Sequence, residues 1–163
     1  MISRNCFSLL RSIPALAWLA IPLWLSGQSS SVLTATAPPK TAAKRGSALE
    51  ARITVQLRNG YHVNSHAPND DYLIPLRLRW DQAESLKALE VVYPKPELHN
   101  YAFSSKPVSV FTGDFPILTR FQVPASAPLG PGVLLGKLRY QACNHDSCLP
   151  PRTLEVRLPY EIQ

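Results

Sequence analysis

Three features of the chain predict an all-β fold, an antiparallel β-sandwich of about seven to eight strands. Apolar side chains recur at every second position along several short runs, which sets them on one face of a strand. Pro, Gly, Asn and Asp separate those runs as turns would. The 16 prolines suit strand ends, edges and turns, whereas inside helices each would break the hydrogen-bond ladder. With 163 residues, 45% of them hydrophobic, the chain has material for one domain with a sizeable core and is short for two. No internal repeat is evident.

Residues 1–29 carry the pattern of an export signal. Arg4 and Arg11 make a basic start, an apolar run extends from Ile13 to Leu25, and small polar residues follow. The run is short for a membrane span. Cleavage after Ser29 sets Gly27 and Ser29 at the positions that favour small residues, whereas cleavage after Gly27 would set Leu25 at one of them. The expectation is an exported, soluble mature protein, with an uncleaved N-terminal anchor as the alternative. Residues 30–46 mix small, polar and proline residues without an apolar period and read as a flexible leader. The folded domain is therefore expected over residues 47–163.

Within that domain, Leu49, Ala51, Ile53, Val55 and Leu57 alternate with Glu50, Arg52, Thr54, Gln56 and Arg58, and Asn59-Gly60 supplies a turn. The alternation returns at Ile74, Leu76, Leu78 and Trp80, then over residues 89–93, 108–112 and 117–123. Two more runs, 133–142 and 153–158, flank a pair of cysteines. Residues 81–89 alone allow a helical turn.

Cys6 leaves with the signal, so the mature chain keeps Cys143 and Cys148, an even pair in an oxidising compartment. In the strand before them, Leu134, Leu138, Tyr140 and Ala142 share one face, and Lys137, Arg139, Gln141 and Cys143 share the other. That polar company puts Cys143 on the wet side. A hairpin across Asn144, His145, Asp146 and Ser147 would bring the cysteines opposite each other, with Cα atoms about 4.5 to 5.5 Å apart and within disulfide reach. Closing so small a ring contributes only about 2 kcal/mol of chain entropy. Short exposed bridges are also the ones most open to an incoming thiolate. The residues alone leave two readings open, a redox-active pair and a passive staple. Pro150 and Pro151 cannot donate to a ladder, so pairing lapses after Cys148 and leaves an edge where a partner can dock. His145 would stabilise a thiolate when protonated, and Asp146 would oppose it. The Cys-x4-Cys spacing is not the Cys-x-x-Cys of a thioredoxin site, and no second ligand pair accompanies it as in a zinc site.

Several segments together resemble the periplasmic N-terminal domain of the thiol:disulfide interchange protein DsbD, a family also described as disulfide bond corrector domains. They are Tyr61-His62-Val63-Asn64-Ser65 with Pro68-Asn69-Asp70-Asp71-Tyr72-Leu73-Ile74-Pro75, then Val92-Tyr93-Pro94-Lys95-Pro96, then Tyr101-Ala102-Phe103-Ser104 with Val108-Ser109-Val110-Phe111, and finally residues 138–151. Tyr-Gln-Ala-Cys followed by Cys-Leu-Pro-Pro is the most specific part, and the likeness spans roughly residues 49–160. The resemblance implies an immunoglobulin-like sandwich in which Cys143 and Cys148 are the redox pair, one forming a mixed disulfide and the other resolving it. It implies partners too: a membrane-embedded thiol reductase as donor, and periplasmic thioredoxin-like or other disulfide-carrying proteins as acceptors, in processes that include cytochrome c biogenesis. It further implies a cap loop near residues 99–104, with Tyr101 or Phe103 shielding the disulfide. Full-length members continue into a transmembrane region and a thioredoxin-like domain. Neither follows Gln163, so the donor is expected to act in trans. The competing expectation, from a different class, is a non-catalytic exported binding module with an inert disulfide.

Other constellations point to little. The formal charge of +6 falls to +4 once Arg4 and Arg11 are removed, and the bases are scattered along strands, which reads as solvated sheet faces rather than a nucleic-acid surface. His62 and His66 read as surface histidines rather than a metal pair. A single Met argues against a methionine-rich copper carrier. No Gly-x-Ser-x-Gly elbow frames a nucleophile, and Asp70 and Asp71 read as a solvated turn. No metal or small-molecule cofactor is expected.

Overall fold

The computed structural model describes residues 31–163, so the signal expected over residues 1–29 lies outside the described residues. Twelve strands follow one another: β1 (Leu33–Thr36), β2 (Thr41–Ala43), β3 (Ala48–Leu57), β4 (His62–Asn64), β5 (Arg77–Trp80), β6 (Lys87–Val92), β7 (Glu97–His99), β8 (Val108–Thr112), β9 (Asp114–Gln122), β10 (Gly130–Tyr140), β11 (Ala142–Cys143) and β12 (Arg152–Ile162). The all-β class is the expected one. The strands beyond the seven or eight foreseen are short pieces such as β1, β2, β7 and β11, too brief to display an apolar period. No helical turn forms over residues 81–89: the second half of that stretch begins β6 and pairs with β9, and Leu86 is drawn into the core.

Three sheets result, ordered β1-β3-β9-β6, β2-β12-β10-β5 and β11-β4-β8-β7. All pairings are antiparallel except that of β2 with β12. The first two sheets face each other. Ile53, Val55, Phe115 and Ile117 of the first pack with Leu78, Leu138 and Val156 of the second, and toward the other end Leu49 and Phe121 join Leu134 and Leu158. Every second side chain of β3 is buried, from Leu49 to Leu57, because its other face is wet. Trp80 ties the layers together: its ring lies against Gly136, where a Cβ would fall 2.7 Å from the indole, and its Nε1 donates to Thr119 Oγ1 of β9 at 2.9 Å.

The leader expected over residues 30–46 is instead part of the fold. β1 pairs along β3, with Leu33 buried opposite Leu57, and β2 lies parallel to β12 with Ala43 buried. Backbone pairing, not an apolar period, holds these edge strands, so small residues serve where large ones would otherwise be needed. The scattered bases are partly gathered as well. Arg77 and Arg79 of β5 oppose Arg139 and Lys137 of β10 on the exposed face of the second sheet.

The third sheet positions the cysteines. β10 ends at Tyr140, and after Gln141 the chain leaves the second sheet and enters the third as β11. Gln141 Nε2 donates to the Leu149 carbonyl at 3.1 Å, holding the corner across the hairpin.

Candidate functional site

The site is built on the third sheet, where two rows of side chains run across the strands. Ala142, Val63 and Phe111 form one row, and Cys143, His62 and Thr112 form the next. The first row belongs to the main core. Neighbouring rows of a pleated sheet face opposite ways, so the second row lies on the outer face. That face is covered too. Val108 and Val110 pack there with Leu73, and Tyr101 and Phe103 of the segment between β7 and β8 close over them.

Covering on both sides corrects two sequence-based expectations. Cys143 is not on the wet side: it is 0% exposed, because the chain turns a corner at Gln141 and the polar face of β10 does not continue into β11. His62 is not a surface residue either, being 2% exposed, whereas His66 is exposed and stacks on Tyr93 with ring centroids 4.7 Å apart. The sequence offered His62 only within a family-like segment and as a surface histidine, and nothing in it marked the residue as buried. The surest pointer was its place in the strand that pairs with the cysteine strand, a long-range relation.

The disulfide joins Cys143 to Cys148 with Cα atoms 3.9 Å apart, closer than the expected facing pair. The two residues form an isolated antiparallel bridge, and Leu149 N donates to the Ala142 carbonyl at 2.8 Å. Asn144 shapes the loop. Its Oδ1 accepts from the backbone N–H groups of Asp146 at 2.9 Å and Ser147 at 2.8 Å, and its own N–H donates to the Ser147 carbonyl at 2.9 Å. This turn fixes Cys148 across from Cys143. The cysteines differ in access, Cys143 being fully buried and Cys148 half-buried. His145 and Asp146 are exposed at the loop tip.

Both aromatics named from the sequence lie over this face. The Tyr101 ring stacks on His62 at 3.9 Å and 16°, with Phe103 beside it at 5.3 Å and 4°. Tyr101 also meets His145 edge-on at 6.4 Å, so of the two rings it is the one set between the cross-strand neighbour of Cys143 and the hairpin loop. The cap is tied down from outside: Asn69 Nδ2 donates to the Pro107 carbonyl at 2.7 Å and its Oδ1 accepts from Ser109 N at 3.2 Å. Beside it opens a pocket of about 410 Å³ whose lining includes Arg58, Tyr61, His62, Tyr101 and His145.

Electrostatics follow from this packing. Burial, and then the nearby His99, lower the His62 pKa from 6.5 to about 4, so its ring is neutral at neutral pH. Its Nε2 is buried with no hydrogen-bond partner among the described residues. Burial, and then the charge of Glu97, raise the Tyr101 phenol. Glu97 itself is held below the usual carboxylate range by hydrogen bonds from His99 at 2.8 Å and Thr112 Oγ1 at 3.2 Å.

A β-sandwich with a disulfide clasped in a short hairpin at a sheet edge has the form of a thiol:disulfide interchange domain. The family described as thiol:disulfide interchange protein DsbD, N-terminal, matches residues 31–159, and the chain belongs to that family. Among solved structures, the N-terminal periplasmic domain of ScsB from Proteus mirabilis is similar at 15% identity with a TM-score of 0.52, over 77% of this chain and 44% of that one. The chain thus spans less than half of that structure's length. A type I cohesin from Pseudobacteroides cellulosolvens matches at 12% identity and TM-score 0.45, over 80% of this chain and 92% of the other. The likeness to the ScsB domain, at 15% identity, is one of fold. The comparison with curated proteins returns no match. No helix among the described residues is long and apolar enough to cross a membrane.

Proposed function

We propose that this domain relays electrons in the periplasm by thiol-disulfide exchange through Cys143 and Cys148, between a membrane-embedded thiol reductase and thioredoxin-like or other disulfide-carrying proteins. The observation that carries this reading is the unequal exposure of the two cysteines. A partner thiolate can reach Cys148, which is half-buried at the open end of the hairpin, but not Cys143, which is sealed within the sheet. Attack on Cys148 Sγ forms the mixed disulfide and releases Cys143. The partner's second thiol then attacks its own sulfur in that mixed disulfide, leaving the pair reduced and the partner oxidised. Run in reverse, Cys148 attacks an acceptor disulfide and Cys143 resolves the intermediate.

Tyr101 is the shield in this scheme, with Phe103 packed against it, and a partner has to displace the cap to align its thiolate with the disulfide. In the hairpin loop a protonated His145 favours a thiolate and the neighbouring Asp146 opposes it. The basic start and apolar run of residues 1–29 support export.

Trapping tests the scheme. A Cys143→Ala variant leaves the accessible thiol without its resolving partner and should accumulate mixed disulfides with proteins of an exported fraction, while Cys148→Ala should capture far fewer. A midpoint potential above about −300 mV is expected of the native pair. A lower potential, with no capture by either variant, would mark the disulfide as a permanent staple in a binding module.

A further inference from the structure

The exchange scheme leaves one buried titratable group without a use. The His62 ring stacks under Tyr101 at 3.9 Å, a filling role that Phe would perform equally well. Its Nε2, however, is buried and unpartnered among the described residues, an unfavourable arrangement that an apolar ring would avoid. What imidazole adds at this position is a proton site. His62 is also the direct cross-strand partner of Cys143. Directly opposed side chains in an antiparallel pair have Cβ atoms about 4.5–5.5 Å apart, so the imidazole and the Cys143 side chain leave the sheet as neighbours on the same covered face.

Cys143 is the sulfur that needs such a neighbour. When a partner attacks Cys148, the electron pair of the breaking bond stays on Cys143 as a thiolate, in a site closed to water. Burial disfavours the charged form, so the thiolate must gain a proton. In the opposite direction the Cys143 thiol must lose that proton before its sulfur can attack the mixed disulfide.

Resting on the relay reading, we propose that His62 Nε2 carries the proton of Cys143. In the accepting direction, a partner thiol gives up its proton on becoming the attacking thiolate. The bond from its sulfur to Cys148 Sγ forms, the Cys143–Cys148 bond breaks, and His62, having taken up a proton, passes it to the Cys143 sulfur. In the donating direction, His62 takes the proton as Cys143 attacks Cys148 Sγ, and the partner's sulfur leaves as a thiolate that is protonated in turn. Two electrons and two protons move in each full exchange, with no other reactant. The groups placed to bias this site are His99 and Glu97 on β7, Tyr101 in the cap, His145 in the hairpin loop and Arg58 in the lining of the adjoining pocket. Burial keeps the resting imidazole neutral and ready to accept, and a thiolate across the strand would raise its affinity for the proton.

The test separates the two half-reactions. The reduced protein is mixed with a small aromatic disulfide that forms a mixed disulfide with Cys148 in a first phase and is displaced by Cys143 in a second. His62→Phe keeps a flat ring under Tyr101 and should leave the first phase unchanged. It should slow the second about tenfold or more at pH 7, and that second phase should now rise with pH toward the thiol's own range. Second phases of equal rate with superimposable pH profiles would overturn the proposal. A readout on the native protein does not depend on the variant folding: the His62 ring resonance should titrate at higher pH in the reduced than in the oxidised form, and identical midpoints would also overturn it. Absence of the first phase in the native protein overturns the relay itself, and His62's role with it. A normal first phase with no effect of His62 overturns only the proton-carrier role.

Discussion

The two facing sheets and the third sheet obey different rules of burial. In β3, which has one wet face, polarity alternates along the chain and burial alternates with it. In β4 and β8, both faces are covered, and the runs His62–Asn64 and Val108–Phe111 are buried at every position whatever their polarity. Period two therefore reports burial only where one side of a sheet meets water. The disulfide lies where that signal fails, so a polar flank in sequence said little about the surroundings of Cys143.

A matched pair of truncations tests this contrast most strongly. Val55 and Val110 are both fully buried, the first in the main core and the second in the small cluster under the cap. By denaturant unfolding, Val55→Ala should cost about 2–3 kcal/mol, and Val110→Ala about 1 kcal/mol because the cap can settle into the space. Equal costs would mean that the third sheet is as firmly packed as the other two.

Acid should act on the third sheet through His62. Its folded-state pKa is depressed, so below about 6.5 the unfolded chain binds a proton that the folded chain refuses. The stabilisation from neutral His62 is complete above that pH and is lost as pH falls toward about 4. The loss should be on the order of 2 kcal/mol, less than the full shift would give because the pocket lets solvent near the ring. Urea midpoints of native protein and His62→Phe at pH 7 and pH 4.5 isolate this effect, and parallel losses in both would remove His62 from the account.

Replacing both cysteines with Ala should cost about 2 kcal/mol, since the ring they close is short, and should leave the main core cooperative. Tyr101→Ala should cost less than about 1 kcal/mol in stability yet speed reduction of the disulfide by dithiothreitol several-fold. An unchanged reduction rate would show that Tyr101 packs the sheet without guarding the sulfurs. The smallest effect is on the wet face of the second sheet, where Arg79 opposes Lys137. Arg79→Glu should stabilise by about 0.2–1 kcal/mol, an effect that fades with added salt.

The sequence by itself determined the all-β class, the long strands of the two facing sheets and the hairpin that brings Cys143 to Cys148, and through resemblance it drew attention to the segment carrying Tyr101 and Phe103. Those are local properties, because alternation, turn residues and a four-residue loop act over a few positions of the chain. The tertiary structure alone decided that residues 33–43 add two edge strands, that His62 lies buried opposite Cys143, and that Cys148 is the more exposed cysteine. Each of these depends on strands far apart in sequence pairing or covering one another, and neither a three-residue strand nor a single histidine carries a local pattern that records its partner.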